Sequence, residues 1–189
     1  MRVTTVATMI LLCLSGAVAG QERRYVFSEK SGAGQLWANV TLTHLRLGEP
    51  YLPMVIGVQN FSKQYARLTK DSFHLVGPDG VRYPLTDLKS VRTDYKHFTQ
   101  DRRIVSDAGF PVDVWIRQRR FRESNFFPDI HLSRRPTVID SVSLGRNDGT
   151  ADLFYFVAPP GLAPGRPFLL EVRPDNWEIP LRLRLVLNE

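Results

Sequence analysis

The chain has 189 residues, 43% of them hydrophobic and 23% charged, with a net charge of +6. That is enough chain to close one core without disulfides, and its single cysteine excludes both a disulfide framework and a thiolate metal centre. The moderate positive charge suits a solvated basic surface and asks for no nucleic acid.

The first residues carry Arg2, an apolar run from about Val6 to Leu14, and then small residues ending in Ala17-Val18-Ala19. This is the layout of a cleaved secretory signal, with the cut expected after Ala19 or Gly20. The run is too short for the roughly 20 apolar residues that span a bilayer, and Ser15 and Gly16 interrupt it. Cys13 follows Leu12 inside the apolar run, where a lipid-accepting cysteine would need a small residue before it. The expected domains are therefore a signal peptide over 1–20 and one mature domain over 21–189, with no transmembrane segment after cleavage. Loss of Arg2 leaves the mature part at +5. An exported protein of this charge is expected in the periplasm or cell envelope. Another envelope protein or an anionic polymer is the expected partner.

Along the mature chain, short alternating runs are separated by scattered glycine and proline, 13 of each. Ala38, Val40 and Leu42 alternate with Asn39, Thr41 and Thr43, which predicts a strand. Leu52, Met54, Ile56 and Val58 predict the next, with Pro53 placing it at an edge or at its own start. Phe73 and Leu75 lead through Gly77-Pro78-Asp79-Gly80 to Val81, Tyr83 and Leu85, the pattern of a hairpin. From Asp87 to Val105 the period changes. Leu88, Val91, Tyr95, Phe98 and Val105 fall near helical spacing, Thr86 or Asp87 can cap the start, and Gly109 with Pro111 can stop it. One inserted amphipathic helix is expected there.

Later, Val138, Ile139 and Val142 precede a turn region from Gly145 to Gly149. Leu153, Tyr155 and Val157 alternate with Asp152, Phe154 and Phe156, so both faces of that strand are expected to be covered. Phe168, Leu170 and Val172 make another strand. Ile179, Leu181, Leu183 and Leu185, alternating with Arg182 and Arg184, make the clearest half-buried one. Seven or so short strands at this spacing predict an all-β fold, a β-sandwich carrying one helix.

The stretch Tyr51 to Leu85 resembles the first half of the immunoglobulin-like (telokin-like) domains of exported bacterial proteins of unknown function. Val58-Gln59-Asn60, Phe73-His74-Leu75, Asp79-Gly80 and Tyr83 carry the resemblance, and FYFVAPPGLAPGRPFLLEV is similar to the closing strands of those domains. The resemblance implies an immunoglobulin-like β-sandwich and no functional residues, since a scaffold does not fix a function.

His44, His74, His97 and His131 are isolated from one another, and no hydrolase motif or phosphate-binding glycine loop occurs. Met54 is the one methionine beyond the leader, which argues against copper. No cofactor, metal ligand or catalytic residue is expected. Asn147 to Asp152 has calcium-like residue types without the closing glutamate of a calcium loop, so an ordinary turn is expected. Asn39-Val40-Thr41 and Asn60-Phe61-Ser62 are sequons that would matter only in a eukaryote.

The candidate partner-binding segment is Val112 to Arg135, from which Trp115, Arg117, Arg119, Arg120, Arg122, Phe126 and Phe127 are singled out. Between Lys89 and Arg135 eleven Lys and Arg stand against six Asp and Glu. Arginine forks grip carboxylates and phosphates, and aromatic faces stack on sugars or guanidinium groups. The plainer reading is a strand of solvated arginines with Phe126-Phe127-Pro128 plugging the end of the sandwich. The function expected is a non-enzymatic envelope interaction module. The alternatives are a carbohydrate-binding or accessory domain and an unrecognised hydrolase whose residues meet only in three dimensions.

Overall fold

A computed structural model describes residues 25–107, 122, 124, 126–128 and 138–187. In chain order the elements are β1 (Val26–Lys30), β2 (Gly34–Asn39), α1 (Thr41–Leu45), β3 (Tyr51–Asn60), β4 (Ala66–Thr69) and a 3-10 turn (Lys70–Ser72). Then come β5 (Phe73–Val76), β6 (Arg82–Pro84), α2 (Leu88–Asp94), α3 (Phe98–Asp107), β7 (Ser141–Leu144), β8 (Gly149–Val157), β9 (Pro167–Val172) and β10 (Leu181–Val186). The fold is β-rich. Two four-stranded antiparallel sheets run in the orders β1-β2-β3-β8 and β10-β9-β5-β6, and β4 pairs with β7 in a third. Among the described residues no helix is long and apolar enough to cross a membrane.

The alternating runs become strands largely as expected, because each places one apolar set on a buried face. Phe168, Leu170 and Val172 of β9 and Leu181, Leu183 and Leu185 of β10 are buried, while Arg182 and Arg184 are exposed. Ile179 lies before β10 and is 78% exposed. On β8 both faces are covered, with Leu153, Phe154, Tyr155 and Phe156 all buried. Phe154 stacks on Phe73 of the opposite sheet at 4.6 Å, while Tyr155 meets Tyr95 and Phe98 of the helical segment. The Asp-Gly turn forms between β5 and β6. Gly80 adopts φ +77°, the Asp79 carboxylate accepts from the Val81 amide and the Tyr83 hydroxyl, and the chain reverses.

Three further expectations need correction. The run Ala38 to Leu42 does not continue as a strand. The Asn39 carboxamide oxygen accepts the Thr41 amide at 3.0 Å and the Thr41 hydroxyl at 2.7 Å, which turns the chain into α1. Val40 and Leu42 are buried either way, so burial alone left a strand and a turn of helix indistinguishable.

Pro53 lies in neither an edge strand nor a strand start. It sits third in β3, which is flanked by β2 and β8. Pairing with β2 ends at Val55 opposite Asn39, so the ladder position that proline cannot fill has no strand beside it. The Pro53 carbonyl instead accepts the Thr43 hydroxyl of α1 at 2.7 Å.

The single helix expected over 87–105 is two. Asp87 caps α2 through the Ser90 amide at 2.8 Å, as its position suggests. The helix then stops at Tyr95, whose backbone is extended (φ −112°, ψ 102°), and α3 restarts at Phe98. No glycine or proline makes this break. Tyr95 is held by its side chain, buried between Tyr51 and Tyr155. Gly109 and Pro111 lie outside the described residues.

Finally, β1 and β4 lie outside the alternating runs. Each is a short strand with few buried positions or few residues to show a period.

Candidate functional site

A buried polar cluster lies where Tyr95 and α3 pack on β3 and β8. Asp101, on the inner side of α3, has no exposed side-chain surface. One carboxylate oxygen accepts Arg46 Nε at 3.0 Å and Nη2 at 2.8 Å, and the other accepts the Tyr95 hydroxyl at 2.6 Å. Burial pushes the Asp101 carboxyl above its ordinary value, against the opposing pull of Tyr95 and Arg46. Burial, followed by the bond to Asp101, raises the Tyr95 phenol far above its ordinary value. Beside this group, Glu49 takes Lys96 at 3.2 Å and His97 at 3.3 Å, and its carboxyl is lowered chiefly by Lys96. The cluster ties the loop after α1 to the restart of α3. The Asp101 carboxylate oxygens and the Tyr95 hydroxyl are buried and bonded to one another and to Arg46, which is the arrangement of a clamp.

The next residue of α3 makes a second tie. Arg102 Nη1 lies 3.1 Å from the Asp152 carboxylate of β8, and Ser124 donates to the other oxygen at 2.7 Å. Asp148 in the turn before β8 accepts the Gly145 amide at 3.0 Å and lies 3.5 Å from Arg122 Nε. Asn60, at the end of β3 and fully buried, donates to the carbonyls of Gln64 and Leu144 and fixes the same corner. The turn ends at Asp148 and the residues from Gly149 to Asp152 open β8, paired with β3, and among the described residues no three His, Cys, Asp or Glu gather to hold a metal. Both sequon asparagines are buried, Asn39 at 6% exposure and Asn60 at 0%.

On the outer face of the second sheet Glu171 is 5% exposed and is bridged by Arg82 and Arg182. His74 stands opposite Glu171 in the ladder. Its imidazole is held below the usual value, first by burial and then by Arg82, with Asp71 opposing. The unfolded chain therefore takes up this proton first, near 6.5, and stability that is present above that pH falls as pH drops through it toward the depressed native value. Equilibrium unfolding followed below pH 6.5 is expected to show that decline. His74→Gln is expected to flatten it, and an unchanged slope would remove His74 from the account.

The residues singled out in the sequence separate. Trp115, Arg117, Arg119 and Arg120 lie outside the described residues. Arg122 is exposed, its amide donates to the Gly149 carbonyl at 2.9 Å, and its side chain faces Asp148. Phe126 and Phe127 have no exposed surface. Phe126 meets the rings of Phe73 and Phe154, and Phe127 those of Phe154 and Tyr155. Two adjacent benzyl groups gain more from that apolar site than from water, so they fill the core and offer no stacking platform.

One surface that the sequence did not flag lies at the opposite side of the sheets. The edges of β1 and β10 flank a groove of about 250 Å³, lined by Glu29, Ala33, Leu36, Ile179 and Leu181 among others. Its sequence signal was the apolar Ile179 two residues before β10, which reads as strand interior when only alternation is counted. No family model matches this chain, and neither a curated protein nor a solved structure matches it.

Proposed function

We propose that this chain is a non-enzymatic interaction module exported to the bacterial cell envelope, built on an immunoglobulin-like β-sandwich with a helical insertion. The observation that carries the reading is how the buried and half-buried acids are used. Asp101 is matched by Arg46 and Tyr95, Asp152 by Arg102 and Ser124, and Glu171 by Arg82 and Arg182. Acids held this way serve to fix elements against one another. A general acid or base needs a free oxygen aimed at a reacting group. The signal-like residues 1–20 support export, and the two four-stranded sheets meeting through Phe73 and Phe154 support the sandwich.

The partner is another envelope protein or an anionic polymer. In-cell photo-crosslinking from the surface of the exported chain is expected to give a discrete heavier species that contains it. Monomer alone from every surface position would overturn the proposal.

A further inference from the structure

Ser31 donates to the Gly34 carbonyl at 2.8 Å and Val40 to the Tyr25 carbonyl at 2.9 Å, which fixes the phase of β1 against β2. With a two-residue period, the amide and carbonyl groups of Phe27 and Glu29 face β2, and those of Val26, Ser28 and Lys30 face outward. Among the described residues no backbone group pairs with that outer row. The far edge of the same sheet is treated differently. There Thr86 donates to the Tyr155 carbonyl, Arg122 to that of Gly149, and Leu85 bridges Phe156, so extended chain covers β8.

The side chains at the uncovered edge are specific. Glu29 shares a face with its ladder partner Leu36 and projects into the groove beside Leu181 and Ile179. It is exposed and has no ion pair among the described residues. Lys30 turns to the other face, over the Phe61 ring at 5.2 Å. Arg182, which also lines the groove, directs its guanidinium to Glu171. Among the described residues, the groove thus combines an unpaired strand edge, an apolar floor and one unneutralised carboxylate.

We propose that this edge takes an extended peptide from another protein, added as a strand to β1, with a lysine or arginine opposite Glu29 and apolar residues toward Ile179 and Leu181. The inference rests on the proposed function and names its partner class. A second copy fits poorly. Symmetric antiparallel pairing through Val26, Ser28 and Lys30 sets odd residues against odd residues, so Glu29 meets Phe27, Ser31 or another Glu29 and never Lys30.

The test uses an end-blocked nine-residue peptide alternating threonine and valine around a central lysine, titrated into the exported chain. Binding is expected to slow amide exchange at Ser28 and Lys30, and to weaken by about fivefold when the central lysine becomes glutamate. Glu29→Lys should reverse that order. Ser28→Pro should abolish binding while the chain stays folded, since the Ser28 amide makes no bond to β2. Methylating the peptide's own alternate amides should abolish it with the chain unaltered. No binding, or binding indifferent to peptide methylation and to the charge at 29, would overturn the proposal. So would slow exchange at Ser28 and Lys30 in the chain alone, which would mean that its own residues or a second copy already cover the edge. Envelope crosslinks that form while no peptide binds the unaltered chain would overturn the groove and leave the proposed function standing.

Discussion

Replacing Asp101 with alanine is expected to lower the unfolding free energy by about 3–5 kcal/mol, the range for removing one partner of a buried ion pair. The size follows from what remains. Arg46, 13% exposed, keeps its charge and loses two hydrogen bonds, and the buried Tyr95 hydroxyl loses its acceptor. Tyr95 is buried beneath α3, and among the described residues Arg46 keeps only its side-chain bond to Gln100 in place of the carboxylate. Chemical denaturation measures the loss directly. A double variant, Arg46→Met with Asp101→Leu, should recover much of it, because the charge then leaves together with its partner. A loss under about 1 kcal/mol for Asp101→Ala would put the pair in the class of exposed salt bridges and discard the clamp.

This cluster also shows where sequence reading stops. The apolar positions of the helical segment run Leu88, Val91, Tyr95, Phe98 and then Val105, and the gap in that series holds Asp101. An acid at an inward helix position is a legible signal that something neutralises it. Its partner Arg46 is 55 residues away, before β3, and periodicity carries no such information. The same limit explains the strands. β9 and β10 are legible because one face is apolar and the other charged, and the Asp-Gly hairpin is legible because Gly80 supplies the positive φ. The break at Tyr95 is not, since it is fixed by a side chain packed between Tyr51 and Tyr155 and not by any local breaker. Phe126 and Phe127 carried both readings in the sequence, surface and plug. Only the neighbouring rings of Phe73, Phe154 and Tyr155 decide between them. The groove was the least legible feature, because which amides of β1 face outward depends on its register with β2.

Gly57→Ala is expected to cost about 3 kcal/mol, at the upper end of what overpacking a core usually costs. Gly57 lies in the middle of β3 directly opposite Trp37 of β2, with Ala151 of β8 on its other side. A methyl placed there would fall 1.7 Å from Trp37 Cε2 and 2.0 Å from its Nε1, inside the space the indole occupies. The glycine is required for room, not for its backbone, since β3 is ordinary extended chain. Trp37 is 6% exposed, and its rigid ring cannot yield by a small rotation as a flexible side-chain end would. It must leave its place on the sheet and give up most of its burial. Trp37→Ala alone should also cost several kcal/mol, in the range for truncating a buried tryptophan. The two substitutions should then be far from additive, because removing the ring removes the three atoms nearest to the methyl at 57. Denaturant unfolding of the two single variants and the double variant measures this coupling. A double variant as unstable as the sum of the singles would mean that the alanine acts elsewhere on β3, and the close approach of Trp37 would not be what reserves position 57 for glycine.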